Sequence, residues 1–484
     1  MIPRKHILTA ILPVLAMLGV SSCKKGELKP NQAPDTQISV KEINLSGDQR
    51  LNSTVRLHWF GTDRDGYVEK YEISLDNMTW QETRVQDSLF IFSIPAGQDT
   101  TDVDFYVRAI DNEGLRDPEP AYLSVPLKNT PPEAGFDEEA GPKDTVLLVS
   151  TFSWDVSDQD GDATVSKVEI RVNDGNWYEL NLGQRLISFV LDPTAVSGPA
   201  TADLYYGSDR TPAQSGIDGF MAEGMNTLYL RATDIAGGMS QVDTSDSFYL
   251  RAKDASSDIL WVSGQAPGIR AKYQSILNAI GVNYDIVDYG RDITGGTALP
   301  NYWDPSFALL VANYPKLFVN TGQETFQNEI NGQIKTILEF MAPVMIEYTI
   351  NGGKSFITTS FKKEQSLAEL TGPYPVDTLI TPAGQARILP DSSLSPLLSG
   401  NYPALSPSNV QSGVVPISST NDADDFYRAG LLKLQGWSGS DIVAAVRRPD
   451  NNWQQVFFGL ELHYYDKNPQ ELEDLFEEIL INEF

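Results

Sequence analysis

Apolar and polar positions alternate with a period of two through most of residues 35–252. Each alternating run ends at a cluster of Asp, Asn or Gly. This pattern is typical of half-buried antiparallel strands that are joined by tight turns. Examples are the three runs Val55, Leu57, Trp59; Val103, Phe105, Val107; and Leu228, Leu230, Ala232.

The alternating region contains an internal repeat. The segment that begins at Trp59 recurs from Trp154, and Trp80 recurs as Trp177, while residues 105–114 recur as 228–237. The spacing between matching positions grows along the chain, which locates an insertion in the second copy around residues 193–224. About 95 residues of such strands form one β-sandwich, so the sequence predicts two sandwiches, at residues 35–128 and 129–255.

Three features of the repeat carry a resemblance to a known class of module. They are the entry segment that begins at Asn129, the tryptophan early in each copy, and a strand of the form aromatic-x-x-Arg-Ala-x-Asp. Both copies resemble the fibronectin type III and related immunoglobulin-like modules of bacterial, Bacteroidota-like surface lipoproteins. The resemblance implies two all-β immunoglobulin-like sandwiches and implies little about activity, because many functions share this fold.

The pattern changes after residue 255, where apolar runs alternate with segments of helical spacing. We predict a helix over residues 269–280, a second near 331–350, and a third from Asn468 with Glu471 as part of its cap. Strands are predicted at residues 259–262, 284–289, 307–312, 354–360, 442–446 and 456–462. The predicted fold of residues 256–484 is an α/β three-layer domain with a mostly parallel sheet.

A second resemblance rests on the strand at residues 354–360 and on the segment 457–463, which ends in a histidine. Their order looks like a class I glutamine-amidotransferase-like, flavodoxin-like domain. In that family a histidine at the position of His463 is catalytic and the nucleophile is a cysteine. The one cysteine of this chain is Cys23, so the resemblance implies a catalytically degenerate domain.

Ser360 and His463 are the candidates for remaining chemistry. Ser360 follows a predicted strand, where α/β enzymes expose nucleophiles, but it lacks the Gly-x-Ser-x-Gly context of such turns. His463 is the general base that a hydrolase using Ser360 would need. The alternative is that His463 packs against Tyr464, Tyr465 and the last helix as a structural residue.

Charge and cysteine content exclude several classes of function. The 36 Lys and Arg residues stand against 65 Asp and Glu, a net charge of −29, and nucleic acid requires a basic face. A single cysteine excludes an intramolecular disulfide and any cysteine-ligated zinc or iron–sulfur site. We therefore predict no nucleic-acid partner and no cofactor.

The N-terminal sequence predicts that the protein is located at the cell envelope. Residues 1–22 have a basic start and an apolar stretch too short to span a membrane, which is typical of a signal peptide. The residues before Cys23 resemble a bacterial lipobox, which implies lipidation of Cys23 and a membrane anchor, with residues 23–34 as a tether. The expected location is the outer membrane, facing the periplasm or the cell surface.

An acidic loop in the second copy follows the spacing of an EF-hand calcium site through Asp158, Asp160 and Asp162. Ala163 stands where that loop requires a glycine-like turn, and the flanks alternate like strands. We favour a strand–turn–strand connection whose Asp side chains accept backbone hydrogen bonds, and calcium remains the alternative.

These observations predict a membrane-anchored lipoprotein outside the cytoplasm that binds or scaffolds at the envelope without catalysis. A hydrolase acting through Ser360 and His463 is the alternative. A glycan or a protein is the expected partner, and a glycan would stack on some of the aromatic residues of the C-terminal region. Those residues are Trp261, Tyr302, Trp303, Trp437, Trp453, Tyr464 and Tyr465.

Overall fold

The computed structural model of the chain describes residues 29–41, 45–47, 50–95, 97–142, 144–289, 303–328, 331–361, 367–379, 386–434, 437 and 439–484. The predicted signal peptide, Cys23 and the first part of the predicted tether lie outside these residues. The chain divides into two compact units, Met1–Asn129 and Thr130–Phe484. Most of the described secondary structure is β-strand.

The first unit contains one sandwich. Its strands β1–β9 are Asp35–Val40, Leu45–Gly47, Arg50–Leu51, Thr54–Thr62, Val68–Ser74, Gln81–Thr83, Asp87–Ile91, Thr100–Asp111 and Ala121–Lys128. One sheet has the order β1-β4-β7 and the other the order β2-β3-β9-β8-β5-β6. Inward-facing Leu57, Trp59, Phe105 and Val107 are fully buried between the sheets, as their alternation predicts.

The second unit begins with the second sandwich. Its strands β10–β21 are Glu133–Phe136, Thr145–Leu147, Val149–Ser157, Val165–Val172, Tyr178–Leu180, Leu186–Leu191, Gly198–Tyr206, Thr211–Ala222, Gly224–Asn226, Leu228–Asp234, Asp243–Thr244 and Phe248–Arg251. They form sheets of order β10-β12-β15-β16-β17, β14-β13-β19-β20 and β11-β21-β18. The immunoglobulin-like sandwich character that the repeat predicts is present in both copies.

The same buried ion pair stabilises both copies of the repeat. Arg108 Nε lies 2.6 Å from a Glu72 carboxylate oxygen, and its guanidinium carbon lies 3.9 Å from the Trp80 ring centroid. In the second copy Arg231 contacts Glu169 at 2.8 Å and covers Trp177 at 4.1 Å. The predicted alignment of the two copies is therefore confirmed by equivalent contacts.

The insertion of the second copy is a hairpin. The structure forms it from β16 and β17, and β16 pairs with β15 in antiparallel register. The insertion therefore lengthens one sheet of the second sandwich by two strands.

The C-terminal region is built on an eight-stranded sheet of order β23-β22-β24-β27-β36-β35-β33-β30. The first five strands in this order are parallel, and each of the last three pairs antiparallel with the strand before it. Strands β22–β36 are Ile259–Gly264, Tyr284–Asp288, Lys316–Thr321, Thr325–Gln327, Ile334–Thr336, Lys354–Thr358, Thr378–Leu379, Ala386–Ile388, Leu394–Pro396, Gln411–Ser412, Ile417–Ser418, Asp424–Ala429, Leu431–Lys433, Ile442–Arg447 and Gln455–Phe458.

Four α-helices are described, α1 Pro267–Ala279, α2 Trp303–Val311, α3 Ile337–Ile350 and α4 Pro469–Glu477. Helices α1 and α4 pack with Trp261 of β22, and α2 and α3 pack in the core that contains Leu260 of the same strand. A capping box of Thr336 and Glu339 begins α3. Asn468 precedes α4 as predicted, but its side chain makes no capping hydrogen bond.

One predicted element has the wrong type, and the helix predicted near 331–350 begins only at Ile337, because residues 334–336 form β26. Residues 307–312 were predicted as a strand and belong to helix α2 and the turn after it, while the third parallel strand is β24. The apolar run of Phe307 to Val311 has no polar face because it is buried on all sides, and periodicity cannot separate a buried helix from a buried strand.

Helix α2 lies between the C-terminal sheet and the second sandwich. It contacts β12 and β15 of the sandwich and α3 of the C-terminal region. Its buried residues Phe307 and Leu310 share one hydrophobic core with Phe152 and with Leu317 of β24. The second sandwich and the C-terminal region are therefore packed as one unit.

Candidate functional site

A polar cleft lies beyond the carboxyl ends of the parallel strands β27 and β36. Ser360 follows β27 by two residues and Glu461 follows β36 by three. The cleft has a volume of about 140 Å³, and its lining includes Gln323, Gln411 and Tyr464. Amide, hydroxyl, carboxyl and phenol groups therefore converge on one small space.

Two residues that line the cleft, Ser360 and Glu461, are hydrogen-bonded to each other. The Ser360 hydroxyl donates to Glu461 Oε1 at 2.5 Å, and the Glu461 side chain is only 14% exposed. Burial raises the pKa of Glu461, and hydrogen bonds from Ser360 and Gln265 partly offset that rise. A Cβ at Gly322 would lie 3.0 Å from the Gln265 amide nitrogen, so a glycine there gives Gln265 room beside the carboxylate.

The backbone of the cleft is fixed by Thr358. Its hydroxyl donates to the Leu460 carbonyl at 2.8 Å and accepts the Leu462 N–H at 3.0 Å. These two bonds attach the segment after β36 to the end of β27. Glu461 is therefore held in one position relative to Ser360.

His463 is buried beside the cleft, in a single turn of 3-10 helix, Leu462–Tyr464, and is 2% exposed. Among the described residues neither ring nitrogen has a hydrogen-bond partner. The ring packs on Tyr464 at a centroid distance of 3.9 Å and on the edge of Tyr273 at 5.9 Å. Burial, with the nearby Lys272 charge, lowers the pKa of His463 to about 4.

The structure brings Ser360 and His463 to the same end of the sheet without joining them. The hydroxyl of Ser360 is directed to Glu461, and the His463 Nε2 atom lies 3.7 Å from the other Glu461 oxygen. Sequence reasoning missed Glu461. Its signal was available, because it is an acidic residue near the end of the predicted strand 456–462 and two positions before His463.

The acidic loop of the second sandwich is a self-contained turn. Asp158 accepts the Asp160 N–H at 2.8 Å and the Thr164 hydroxyl at 2.8 Å, while Asp162 accepts the Asp158 N–H and Asp160 accepts the Thr130 N–H. These are the backbone-capping bonds that the sequence favoured. In the described part of the chain no group of three or more His, Cys, Asp or Glu residues is placed to hold a metal.

Most of the aromatic residues suggested for glycan stacking are in the core. Trp261, Trp303, Trp453 and Tyr465 are buried, whereas Tyr464 is 44% exposed beside the cleft. Trp437 is half-buried, and Tyr302 lies outside the described residues. The hypothesis that these residues form an extended stacking platform is wrong, because a stacking surface must be open to solvent.

The described residues contain no helix with the length and apolar character needed to cross a membrane.

No protein-family model and no curated protein matches the chain. Among solved structures, the chain is similar to the PKD1 domain of Vibrio anguillarum Epp, at 15% identity and a TM-score of 0.15, covering 20% of this chain and 98% of that one. It is similar to fibronectin(III)-like modules of Clostridium thermocellum CbhA, at 12% identity and a TM-score of 0.15, covering 45% and 95%. It is also similar to carbohydrate-binding modules of the β-sandwich superfamily, at 15% identity and a TM-score of 0.17, covering 36% and 59%.

Proposed function

We propose that this protein is a lipid-anchored binding protein of the cell envelope, outside the cytoplasm, and that its polar cleft holds a ligand without chemical turnover. The anchor is supported by the lipobox-like segment before Cys23 and by the apolar segment that precedes it. The outer membrane is the proposed location. The two sandwiches separate the cleft from the anchored end of the chain in sequence.

We also propose that residues 256–484 are a three-layer α/β domain of the flavodoxin-like class. Five parallel strands with helices packed on both faces support this assignment. Strands β35, β33 and β30 extend the sheet on one side, each pairing antiparallel with the strand before it.

The observation that carries the non-catalytic proposal is the pairing of Ser360 with Glu461 in place of His463. The hydrolase alternative takes His463 as the base that accepts the proton of Ser360. Because the pKa of His463 is about 4, its imidazole is a poor proton acceptor, and it is buried without a bond to the Ser360 hydroxyl. The same groups are well suited to hydrogen bonding with a neutral polar ligand.

The ligand class that fits the cleft is a sugar. Glu461 and Gln323 can accept and donate hydrogen bonds to hydroxyl groups, and the exposed ring of Tyr464 offers a face for stacking. The strongly acidic chain disfavours a negatively charged ligand. We therefore propose a neutral glycan.

Isothermal titration calorimetry with a panel of neutral mono- and oligosaccharides tests this function. We expect binding of at least one sugar, loss of that binding in Tyr464→Ala and Glu461→Gln, and no change in Tyr67→Ala, which removes an exposed tyrosine of the first sandwich. No heat with any sugar would contradict the glycan proposal. Hydrolysis of p-nitrophenyl acetate that disappears in Ser360→Ala would support the hydrolase alternative instead.

The anchor is tested separately in a Gram-negative host. Metabolic labelling with an alkynyl fatty acid is expected to label the wild-type protein and to leave Cys23→Ser unlabelled, with the variant released from the membrane fraction. Labelling that persists in Cys23→Ser would contradict the proposed lipidation site.

A further inference from the structure

The first sandwich has an open side that the second sandwich does not have. Strand β7 is the last strand of its sheet, and among the described residues no further strand pairs with it. A groove of about 410 Å³ runs along this side and is lined by Ile73, Leu75, Trp80, Phe90 and Phe105, with Asp76 at the rim. Apolar side chains therefore face solvent beside an unpaired strand edge.

The backbone of β7 is arranged to accept another strand. Trp59 donates its N–H to the Gln86 carbonyl and Phe92 donates to the Ser53 carbonyl, so these pairs mark the bonded rungs of the β4–β7 ladder. Bonded rungs alternate in an antiparallel ladder. The N–H and C=O groups of Asp87, Leu89 and Ile91 therefore point away from β4, toward the open edge.

The second sandwich indicates what this edge accepts. By strand register Phe90 corresponds to Phe189, which lies opposite Leu204 of β16. Leu204 is 1% exposed, and Phe220 of β17 packs on Phe189 at a centroid distance of 5.2 Å. The inserted hairpin thus pairs with the edge strand and covers the apolar side of the second sandwich.

The side chains of β7 also differ from those of β15. Leu89 is 53% exposed and Ile91 is 51% exposed, whereas the equivalent Ser188 and Val190 are buried. The first sandwich therefore presents an apolar edge strand where the second has a covered one.

We propose that the open side of the first sandwich is a binding site for an extended strand of another protein. The partner strand pairs antiparallel with β7, as β16 pairs with β15, and places a large apolar side chain against Phe90 in the groove. This site is separate from the cleft at Ser360 and does not depend on the glycan proposal.

Charge favours a neutral or basic partner over a second copy of this chain. Asp76 lines the groove, and the whole chain has a net charge of −29, whereas Asp87 at one end of the edge is paired with Lys41. Two such chains repel each other, whereas basic residues that flank the apolar side chain of a partner strand are attracted to this rim.

A synthetic peptide with the sequence of residues 198–222, the hairpin β16–β17, is the probe. Its binding to the full chain is measured by fluorescence anisotropy. We expect a peptide with Leu204→Asp to bind at least about tenfold more weakly and a peptide with Asp203→Lys to bind more tightly than the parent. Higher salt is expected to reduce the advantage of the lysine peptide.

Variants of the chain locate the binding. Leu89→Pro removes an outward N–H without breaking a bond to β4, and Leu75→Glu adds a charge to the groove; both are expected to weaken binding at least about tenfold. The matched controls are Leu89→Thr, which keeps the N–H, and Met78→Glu, which adds the same charge at an exposed position outside the groove lining. Both controls are expected to bind like the wild type.

Hydrogen exchange provides a second readout that does not depend on a variant that folds. Bound peptide is expected to protect the amides of Asp87, Leu89 and Ile91 and to leave Ser88 and Phe90 unchanged, because β4 already protects them.

The proposal is overturned if the peptide does not bind or if Leu89→Pro and Leu75→Glu bind it normally. It is also overturned if the protein's own residues 198–222 lose protection, which would indicate exchange into the second sandwich. Dimerisation abolished by Leu89→Pro would assign the edge to a second copy instead.

Discussion

The hydroxyl groups of Thr151 and Ser306 lie 2.6 Å apart and are buried, although 155 positions separate them in the chain. Thr151 belongs to β12 of the second sandwich and Ser306 to helix α2 of the C-terminal region. Separating this buried pair is expensive because Ser306 would lose its bond to Thr151, while Thr151 would keep only its bond to Ser188. We therefore expect the second sandwich and the C-terminal region to unfold in one cooperative step.

Phe307→Ala tests this cooperativity. Phe307 is 1% exposed in the core that the two parts share, and its truncation is expected to lower the free energy of unfolding by about 3–5 kcal/mol. Denaturant unfolding followed by far-UV circular dichroism and by tryptophan fluorescence should show one shifted transition for residues 130–484. Ile350→Ala, at a 78% exposed position of α3, is the control and should change stability by less than about 0.5 kcal/mol. Separate transitions for the sandwich and the C-terminal region would contradict the expectation.

The sequence predicted the sandwiches better than the region after them, for a physical reason. A strand with one buried face alternates, so Val55, Leu57 and Trp59 mark both the element and its orientation. Helix α2 is buried on one side by the sandwich and on the other by the sheet, so Phe307 and its neighbours carry no periodic signal. Only the tertiary packing decides the conformation of such a segment.

The candidate site was predicted in part. The position at a strand end was enough to select Ser360, and the resemblance of segment 457–463 to a known motif selected His463. Which side chain faces which could not be predicted, because it depends on the bonds of Thr358 that turn Glu461 toward Ser360.

The buried ion pair of the first sandwich predicts that substitutions of two glutamates will differ in their effect on stability. Burial alone would raise the pKa of Glu72, but its bonds and charges with Arg116 and Arg108 hold the pKa below its usual value. Glu72→Gln is expected to lower the unfolding free energy of the first unit by about 2 kcal/mol at pH 7. Its matched control Glu82→Gln, an exposed partner of Lys70, should cost less than about 1 kcal/mol.

The pH dependence distinguishes this mechanism from a change in packing. A lowered pKa contributes stability above the unfolded value of 4.5, and that contribution is lost as the pH falls through the folded value. The difference between wild type and Glu72→Gln should therefore shrink in acid. A difference that is constant from neutral to strongly acidic pH would mean that the charge plays no part.

Calcium is expected to have no effect on the second sandwich. The carboxylates of Asp158, Asp160 and Asp162 are already engaged by backbone N–H groups and by Thr164. A ligand that binds only the native state raises the melting temperature, so differential scanning calorimetry in EDTA and in millimolar Ca²⁺ is a direct measurement. We expect equal melting temperatures. A higher melting temperature in Ca²⁺ that is lost in Asp160→Asn would restore the EF-hand interpretation.

His463 should make the second unit sensitive to acid. Its pKa is lowered from 6.5 to about 4, first by burial and then by the Lys272 charge, while Asp466 acts in the opposite sense. The unfolded state binds the proton first, so stability is full above pH 6.5 and falls toward pH 4, by about 3 kcal/mol. Glu461, whose pKa is raised by burial, changes stability in the opposite direction over part of this range. Because Glu461 is retained when His463 is substituted, its contribution is common to the wild type and to a His463 variant.

The measurement is the unfolding free energy of wild type and of His463→Gln from pH 7 to pH 4. The variant lacks the group that must accept a proton, so its stability should fall less steeply with acid and should rise relative to that of the wild type as the pH approaches 4. His58→Gln, in the first unit, is the control and should leave the slope of the second transition unchanged. Parallel curves for wild type and His463→Gln would show that the ring is protonated equally in both states, and would remove the physical basis for treating His463 as a buried neutral residue.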